Sequence, residues 1–427
     1  MVSSVTTMAQ HPSSDTTIFL DQPPSCLQFH PSSPNHFLVG TYLLSEHKED
    51  DSAPIQQTKT GSLQLWHLDP ATNQLTLRHK HPLPYAVFDL HFHPTDPTLA
   101  AIATSAASVV FFRITVPEGE ENDRTPFIKE IQSHQVHEDP SIPALYLAWL
   151  PAGWHSTTPS NAGTEYGFAV TFSDGLTTLF NTKVSPSPNS FSITEESSYP
   201  ATQQIEVWYV AAATYPQPHS NGDNMRYIFT GSDFGSLHTR YLPAPSNTNN
   251  SDEDNDEANM PILSHDDRAR HHTAGVTAIL PLPVPMTDGA PWLLTGSYDE
   301  SLRVYHASRR GEVLGEIGLG GGVWRLQILS THSRPVDDSE GDVEWTFLVL
   351  ASCMHAGTRV VKVRVVLGES GQECEMEVVA EFTEHESMNY ASDVWNWGGH
   401  KGGEGRELKV VSSSFYDRRV CVWRVNV

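Results

Sequence analysis

Two short segments near the C-terminal end of the chain hold residue types that together could attack a carbonyl group. Residues 320–325 (GGGVWR) join a glycine run to Trp324 and Arg325, and residues 351–357 (ASCMHAG) hold Cys353 and His355. Glycine lets backbone amides approach a substrate closely, arginine can hold a carboxylate or a developing oxyanion, and histidine titrates near neutral pH. The alternative interpretation is that His355 only caps the backbone of a turn.

A third group of residues could recognise a cation. Residues 385–395 (HESMNYASDVW) and 414–417 (SFYD) follow the first two segments, and they add Tyr390 and Tyr416 to Trp324. If the loops are neighbours, these three rings collect on one rim beside carboxylates, which is the arrangement that binds a quaternary ammonium. Asp393 or Asp417 could orient His355. The alternative for each ring is ordinary packing.

The elements that must position these residues repeat along the chain. Seven segments each pair a tight turn with an alternating apolar strand, as expected for a repeat architecture. The copies are GSLQLWHL from Gly61, ASVVFFRI from Ala107, DGLTTLFN from Asp174, FGSLHTRY from Phe234, DESLRVYH from Asp299, HAGTRVVKV from His355 and DRRVCVWRV from Asp417.

Seven copies predict an all-β fold, a seven-bladed WD-type β-propeller with four antiparallel strands in each blade. The given sequence stops after the third strand of the last blade, so the segment 16–20 (TTIFL) is expected to complete that blade and close the ring. We predict a disordered segment at 1–14 and a single propeller over 15–427. Polar insertions are expected at 46–60 and 245–260, the second containing the acidic run SDEDNDEA.

Blade five is the most regular copy and shows how much of the polarity is structural. In a WD-type blade, a histidine, a strand-two Ser or Thr, the turn Asp and a strand-three aromatic form a hydrogen-bonded set. The sequence predicts such a tetrad from His272, Thr295, Asp299 and Tyr305. In blade six, Cys353 and His355 align with Ser297 and Asp299, and this break of a local rule favours a functional site there.

Composition narrows the function classes. The formal net charge of −25 argues against direct nucleic-acid binding and favours a cationic partner. Four cysteines without metal-ligand spacing, and an N-terminal stretch with neither a basic nor an apolar region, predict a soluble, monomeric, cytoplasmic protein with free thiols and no membrane span. The common hydrolase, zinc and nucleotide motifs are absent from the sequence, so we expect no metal and no cofactor.

Taken together, seven motifs resemble one family, the WD-repeat diphthine methylesterases of diphthamide biosynthesis. They cover about the C-terminal half in the family's order, whereas the N-terminal blades match only as a generic propeller, and Tyr305 replaces a turn tryptophan. The motifs are VWYVAAATYPQP from Val207, YIFTGSDFGSL from Tyr227, RHHTAGVTAI from Arg270, LLTGSYDESLRVY from Leu293, GGVWRLQI from Gly321, ASCMHAG from Ala351 and SSFYDRRVCVW from Ser413.

The resemblance implies hydrolysis of the methyl ester of methylated diphthine on translation elongation factor 2, which frees a carboxylate for the final amidation. The residues suggest a mechanism in which His355 is the general base, acting on water or on Cys353. Arg325 and the amides of 320–323, including Gly321 and Gly322, would stabilise the oxyanion. The competing hypothesis is a noncatalytic adaptor that presents elongation factor 2 or another client to a partner enzyme.

Overall fold

Antiparallel β-strands make up most of the molecule, as the repeats predict. The computed structural model describes residues 8–48, 55–117, 126–155, 165–184, 191–216, 224–243, 260–336, 341–368, 371–395 and 406–427. Within them the strands form seven sheets, one for each predicted blade. The predicted all-β, seven-bladed propeller is therefore confirmed.

In blades two to six each strand pairs with its neighbour in the chain, whereas blade one has five strands and its second strand pairs with its fourth. Blades one and two comprise β2 (Pro24–Phe29), β3 (His36–Thr41), β4 (Leu43–His47), β5 (Gln56–Leu68) and β6 (Leu75–Leu83), then β7 (Val87–Phe92), β8 (Leu99–Thr104), β9 (Ser108–Thr115) and β10 (Phe127–Gln135). Blades three and four comprise β11 (Ala144–Trp149), β12 (Glu165–Phe172), β13 (Leu176–Val184) and β14 (Phe191–Pro200), then β15 (Val207–Pro216), β16 (Asn224–Ser232), β17 (Leu237–Leu242) and β18 (Leu263–Asp266).

The remaining blades follow the same order. Blade five comprises β19 (Val276–Pro281), β20 (Trp292–Ser297), β21 (Ser301–His306) and β22 (Glu312–Gly318). Blade six comprises β23 (Arg325–Pro335), β24 (Val343–Ser352), β25 (Thr358–Gly368) and β26 (Gly371–Phe382). Blade seven comprises β27 (Ala391–Val394), β28 (Glu407–Ser414), β29 (Arg419–Asn426) and β1 (Ser14–Phe19).

The last blade is completed by the N-terminal strand. β1 pairs antiparallel with β29, with Thr17 opposite Cys421 and Ile18 opposite Val420. This confirms the expected closing strand, and it covers the hydrogen-bonding edge that β29 would otherwise expose. Order extends upstream of β1 into the segment predicted to be disordered, because Gln10 bonds through its backbone to Val379 and Glu381 of β26. Residues 1–7 lie outside the described residues.

Of the two predicted insertions, the first falls partly on described residues, whereas only the last residue of the second, Met260, is described. Its ends belong to β4 and to the start of β5, and the amide of Gln57 donates a 2.9 Å hydrogen bond to the carboxylate of Glu46. Residues 49–54 and 244–259 lie outside the described residues. The first insertion therefore lengthens a hairpin of blade one.

By internal contacts the chain divides into two compact units, and the single domain expected over 15–427 stays a prediction. Unit 1 contains Met1–Leu43, Ser62–His81 and Leu282–Val427, and unit 2 contains Leu44–Gly61 and Pro82–Pro281. Unit 1 holds blades six and seven, with their catalytic candidates. No helix in the described residues has the length and apolar character needed to cross a membrane.

Apolar side chains of blades six and seven form one of the cores of unit 1. Phe382 and Trp423 are fully buried and stack with ring centroids 4.9 Å apart and planes 2° from parallel. They belong to a cluster with Val360, Val410 and Cys421, which come from the middle strands of both blades. The alternating apolar pattern of these strands is thus explained by burial against the next blade.

A buried polar set of the WD type is found in blade seven. The hydroxyl oxygen of Ser412 accepts a 3.0 Å hydrogen bond from Nε1 of Trp423 and lies 2.8 Å from Nε2 of His385. Burial lowers the pKa of His385 to about 4, so its ring is neutral at physiological pH. The entrance loop of blade seven is therefore tied to its second and third strands.

The four residues of the tetrad predicted for blade five occupy the expected elements. His272, Thr295 and Tyr305 are buried, and Nδ1 of His272 lies 3.8 Å from Oδ2 of Asp267. The carboxylate of Asp299 accepts a 2.9 Å hydrogen bond from Arg303. The sequence did not single out either charged partner, and the tetrad as a hydrogen-bonded set stays a prediction.

We expect Ser412→Ala to lower the free energy of unfolding by about 1–3 kcal/mol, because the buried indole N–H of Trp423 loses its acceptor. Urea denaturation at pH 7 measures this change. Ser333→Ala, at an exposed position of β23, is the matched control and should leave the urea midpoint unchanged. Equal midpoints for the two variants would contradict a stabilising role for the set.

Buried neutral histidines should make the protein acid-sensitive. A histidine whose folded-state pKa lies near 4 binds fewer protons than its unfolded counterpart, so stability is present above about pH 6.5 and is lost as the pH falls toward 4. Between pH 7 and pH 5, His385 alone should account for about 2 kcal/mol. Burial lowers the pKa to about 4 at four further histidines, His30, His36, His93 and His238.

The measurement is the free energy of unfolding at several values between pH 7 and pH 5, a window above the titration of ordinary carboxylates. His385→Gln should flatten the dependence on pH, whereas the exposed His332→Gln should keep the wild-type slope. A wild-type stability that does not change over this window would contradict the assignment.

Candidate functional site

The turn between β24 and β25 presents His355. The amide of Ala356 donates to the carbonyl of Cys353 at 2.9 Å, and the amide of Cys353 donates to the carbonyl of Gly357 at 2.7 Å. Gly357 has φ +82°, and a Cβ there would lie 2.2 Å from the carbonyl oxygen of Phe382. Glycine is therefore required, and the turn is tight enough to project His355 outward.

His355 is exposed at the tip of this turn. Among the described residues, no hydrogen bond, ion pair or ring contact is recorded for its imidazole. The alternative interpretation, in which the ring caps backbone groups of its own turn, therefore has no support in the contacts of the described residues. The ring is available to a ligand.

The position of the turn is fixed by Asn389 of the neighbouring loop. The backbone N–H of Asn389 donates to the carbonyl of Met354 at 3.0 Å. Its fully buried side chain donates to the carbonyl of Ser413 at 2.7 Å and accepts from the hydroxyl of Thr358 at 3.1 Å. The sequence pattern did not single out Asn389, although its amide side chain stands among the aromatic and polar residues of 385–395.

The glycine run lies against the same turn. A Cβ on Gly321 would lie 2.3 Å from the carbonyl oxygen of Cys353, and one on Gly322 would lie 2.8 Å from Sδ of Met354. Both glycines are buried, so close packing accounts for them. The amide of Val323 donates a 2.9 Å hydrogen bond to the carbonyl of Ser297 and is therefore already used. For the other predicted amide donors, those of 320–322, the described residues supply no backbone acceptor.

Arg325 is held by its neighbour Trp324. The guanidinium lies 4.6 Å from the centre of the indole ring, and Nη1 donates a 2.9 Å hydrogen bond to the carbonyl of Trp324. A stacked arginine loses little freedom on binding a carboxylate or an oxyanion. The half-buried guanidinium can therefore serve as a fixed positive group at the edge of the site.

Aromatic rings from several loops form a continuous row. Trp324 lies 5.1 Å from Tyr390, as measured between ring centroids, and 5.9 Å from Tyr298. Phe415 lies 5.3 Å from Tyr390 and 6.0 Å from Tyr42. We call these five rings the aromatic row. Two of them, Trp324 and Tyr390, were expected on one rim, whereas Tyr298, Phe415 and Tyr42 were missed because turn and strand-end aromatics are common in propellers.

Tyr416 lies beside the row, in contact with Phe415 at 5.0 Å, and its side chain is exposed. Next to it, Asp417 accepts hydrogen bonds from the amide of Glu386 at 3.2 Å and the hydroxyl of Ser387 at 3.1 Å. Partial burial alone would raise the pKa of Asp417, but hydrogen bonds and Arg419 outweigh it and hold the pKa below its usual value. A fixed carboxylate thus accompanies the rings.

Cys353 points the other way from His355. Its thiol is fully buried, Sγ lies 3.6 Å from the carbonyl of Ala351, and burial raises its pKa to about 12. A thiol nucleophile must be exposed and must ionise near the working pH. The position of Cys353 therefore disfavours the covalent alternative for the nucleophile and favours water.

Asp393 is also buried, below the loops. Its carboxylate accepts hydrogen bonds from the backbone N–H of Phe29 at 2.8 Å, from Nε2 of Gln327 at 2.9 Å and from the amide of Val394. Burial raises its pKa although these donors oppose the shift. The contacts of Asp393 join blades one, six and seven, and none of them reaches His355. Of the two carboxylates that could orient His355, Asp417 lies on the loops and Asp393 does not.

Among the described residues, no group of three or more His, Cys, Asp or Glu side chains could hold a metal ion. What the site offers is an exposed imidazole, a stacked guanidinium, backbone amides for which the described residues supply no acceptor, and rings beside a carboxylate. Those groups suit proton transfer and oxyanion stabilisation next to a bound cation.

Comparison with known proteins adds a local match in sequence. The chain is similar to the diphthine methyltransferase of Schizosaccharomyces pombe, with 32% identity over 152 residues, which is 36% of this chain and 38% of that protein. It is also similar to the human diphthine methyltransferase, with 28% identity over 129 residues, which is 30% of this chain and 24% of that protein. The chain thus spans well under half the length of these relatives. No protein-family model matches it.

Comparison with solved structures shows the fold. Sqt1 of Chaetomium thermophilum, bound to the N-terminus of the ribosomal protein L10, aligns over 97% of this chain and all of that chain with a TM-score of 0.52 and 15% identity. Sqt1 of Saccharomyces cerevisiae aligns over 99% of this chain and all of that chain with a TM-score of 0.51 and 11% identity. The chain therefore shares a WD-repeat propeller fold with the solved structures and a local sequence match with the diphthine methyltransferases.

Proposed function

We propose that the protein is a diphthine methylesterase, which hydrolyses the methyl ester of methylated diphthine on translation elongation factor 2. One contact carries this proposal beyond the sequence match. The hydrogen bond from the amide of Asn389 to the carbonyl of Met354 fixes the exposed His355 relative to Tyr390 in the aromatic row. A candidate base and a candidate cation site are thereby held by one backbone contact.

The proposed substrate complements this arrangement. Its trimethylammonium group suits the faces of Trp324 and Tyr390, with Tyr416 and Asp417 beside the row. Binding of a fixed cation would hold the ester at a constant distance from His355, and such positioning is itself a large contribution to a hydrolysis rate. The acidic chain, with a formal net charge of −25, would favour encounter with a basic surface of the elongation factor.

In the proposed reaction, His355 takes a proton from a water molecule, whose oxygen attacks the ester carbonyl. The resulting oxyanion is stabilised by Arg325 and by the amides of Gly321 and Gly322. When the carbon–oxygen bond to the methoxy group breaks, the protonated imidazole returns its proton to the leaving group. Methanol and a carboxylate are the products, and no cofactor takes part. We place the reaction in the cytoplasm and expect a monomer to carry it out.

The alternative function is a noncatalytic adaptor that presents elongation factor 2 or another client to a partner enzyme. The observation that favours it is the fold similarity to Sqt1, since a structure of that propeller holds the N-terminus of a ribosomal protein. An adaptor would use the same aromatic and acidic face for binding. It would have no use for an exposed histidine at the tip of a glycine-dependent turn.

Methanol release decides between the two functions. Purified protein is mixed with elongation factor 2 carrying methylated diphthine, methanol is measured, and the modified peptide is analysed by mass spectrometry. Repeated turnovers with loss of one methyl group from the peptide are expected. Stable binding without methanol would contradict the esterase and support the adaptor.

We expect His355→Ala to lower kcat by about 100-fold or more, because the water molecule loses its general base. Steady-state kinetics of methanol release measures the effect. His332→Ala, which removes an exposed histidine from β23 of the same unit, is the matched control and should retain wild-type kcat. Near wild-type turnover in a folded His355→Ala protein would contradict the assignment of His355 as the general base.

The nucleophile is tested by Cys353→Ala. If water attacks directly, kcat should stay within a few fold of wild type, and no acyl-enzyme mass should appear on mixing. A loss comparable to that of His355→Ala in a variant with wild-type thermal stability would instead restore the thiol as the nucleophile.

A further inference from the structure

Met354 stands directly before the exposed His355, and the proposed reaction gives it no role. Its side chain is half-buried, and its φ of +42° lies in the left-handed region, where a residue with a side chain is strained. Its carbonyl accepts hydrogen bonds from the backbone N–H of Asn389 at 3.0 Å and from that of Gly357 at 3.1 Å. The strained backbone is therefore held both by its own turn and by the neighbouring loop.

The thioether of Met354 packs on the glycine run. A Cβ on Gly322 would lie 2.8 Å from Sδ of Met354 and 3.3 Å from Cδ1 of Tyr298, so both side chains lie against this glycine. The amides of Gly321 and Gly322 are proposed donors to the oxyanion, and His355 is the proposed base. One apolar side chain is thus adjacent to the base in the chain and in contact with an oxyanion donor in space.

In the blades on either side, an aromatic ring takes the position that Met354 has in blade six. Tyr298 directly follows the second strand of blade five, and Phe415 directly follows that of blade seven. The alignment of residues 351–357 with the turn of blade five places Met354 opposite Tyr298. A thioether is narrower than a phenol ring and adapts its shape. The blade that carries His355 therefore leaves more room at this position than its neighbours do.

We propose, on the basis of the proposed esterase function, that Met354 forms the subsite for the alkyl group of the ester and limits that group to methyl. An ester carbonyl carbon carries three substituents. Its oxygen would face the amides of 321–322, and its acyl chain would lead to the trimethylammonium group on Trp324 and Tyr390. The alkoxy group is the remaining substituent, and the thioether is the apolar surface in contact with Gly322 that can receive it.

The kinetic test compares the methyl ester on elongation factor 2 with the ethyl ester prepared by chemical esterification of the same side chain. Because one methylene group in an apolar pocket changes kcat/KM by about tenfold or more, wild type is expected to prefer methyl by about that factor. Met354→Ala opens the subsite and should bring the two esters within about threefold of each other. Met354→Leu, which conserves the volume, should keep the wild-type preference.

Two further variants guard the comparison. Met354→Gly removes the same side chain and adopts the positive φ without strain, so it replaces Met354→Ala if that variant loses thermal stability. The matched control is Met376→Ala, at a half-buried methionine of β26, which should keep the methyl preference of wild type. Equal kcat/KM for the two esters in wild type, or an unchanged preference in a folded Met354→Ala or Met354→Gly protein, would overturn the alkyl subsite.

Equilibrium binding separates this subsite from the esterase function. Peptides carry the modified side chain with a CH₂ group in place of the ester oxygen, in the lengths of the methyl and ethyl esters, and calorimetry measures their affinities. Tighter binding of the shorter ketone that is lost in Met354→Ala, without methanol release from the true ester, would keep the subsite and contradict the esterase. Methanol release with an unchanged methyl preference in Met354→Ala would keep the esterase and overturn the subsite. No methanol release and equal affinities for the two ketones would overturn both.

Discussion

The pairing of β1 with β29 is the interaction on which the arrangement of unit 1 depends. β29 carries Trp423 and Cys421 into the core shared by blades six and seven, and its outer edge would present unpaired N–H and C=O groups without β1. Backbone bonds supply the closure, and a side-chain ion pair between Arg424 and Asp15 strengthens it at the surface. A blade so completed holds its entrance loop in place, and that loop contains Asn389 and Tyr390.

Buried carboxylates on inner strands join successive blades in a second way. Asp393 accepts from the backbone of Phe29, and Asp89 in unit 2 accepts from the backbone of Leu147, so in each case a first-strand carboxylate binds the first strand of the next blade. The cost of burying a carboxylate is offset by these charge-assisted bonds. The recurrence argues that Asp393 is part of the propeller frame, and it explains why a residue chosen for its charge has no contact with His355.

The fold could be predicted from the sequence because the seven similar turn-and-strand copies indicate how many blades there are and where the third strand of each blade lies. The same copies also located the missing strand, since a blade that ends at its third strand needs a partner such as 16–20. The site was harder to predict. Trp324 and Tyr390 could be grouped because each stands beside an unusual segment, whereas Phe415 and Tyr298 belong to ordinary turns and reveal their role only through ring contacts. The hydrogen bonds of Asn389 depend on the packing of three loops, which no local pattern encodes.

The turn at 353–357 shows why residue types alone could not assign the nucleophile. Cys353 directly follows β24 and is fully buried, so ionisation of its thiol is unfavourable, while His355, two residues later, lies at the exposed tip. Both residues were candidates on the basis of chemistry, but the turn separates them into one inert and one accessible group. A catalytic pair needs both groups in the same solvent-accessible volume. The geometry of one glycine-dependent turn therefore directs the proposed reaction toward water activated by histidine, with the arginine stacked on Trp324 as its electrostatic partner.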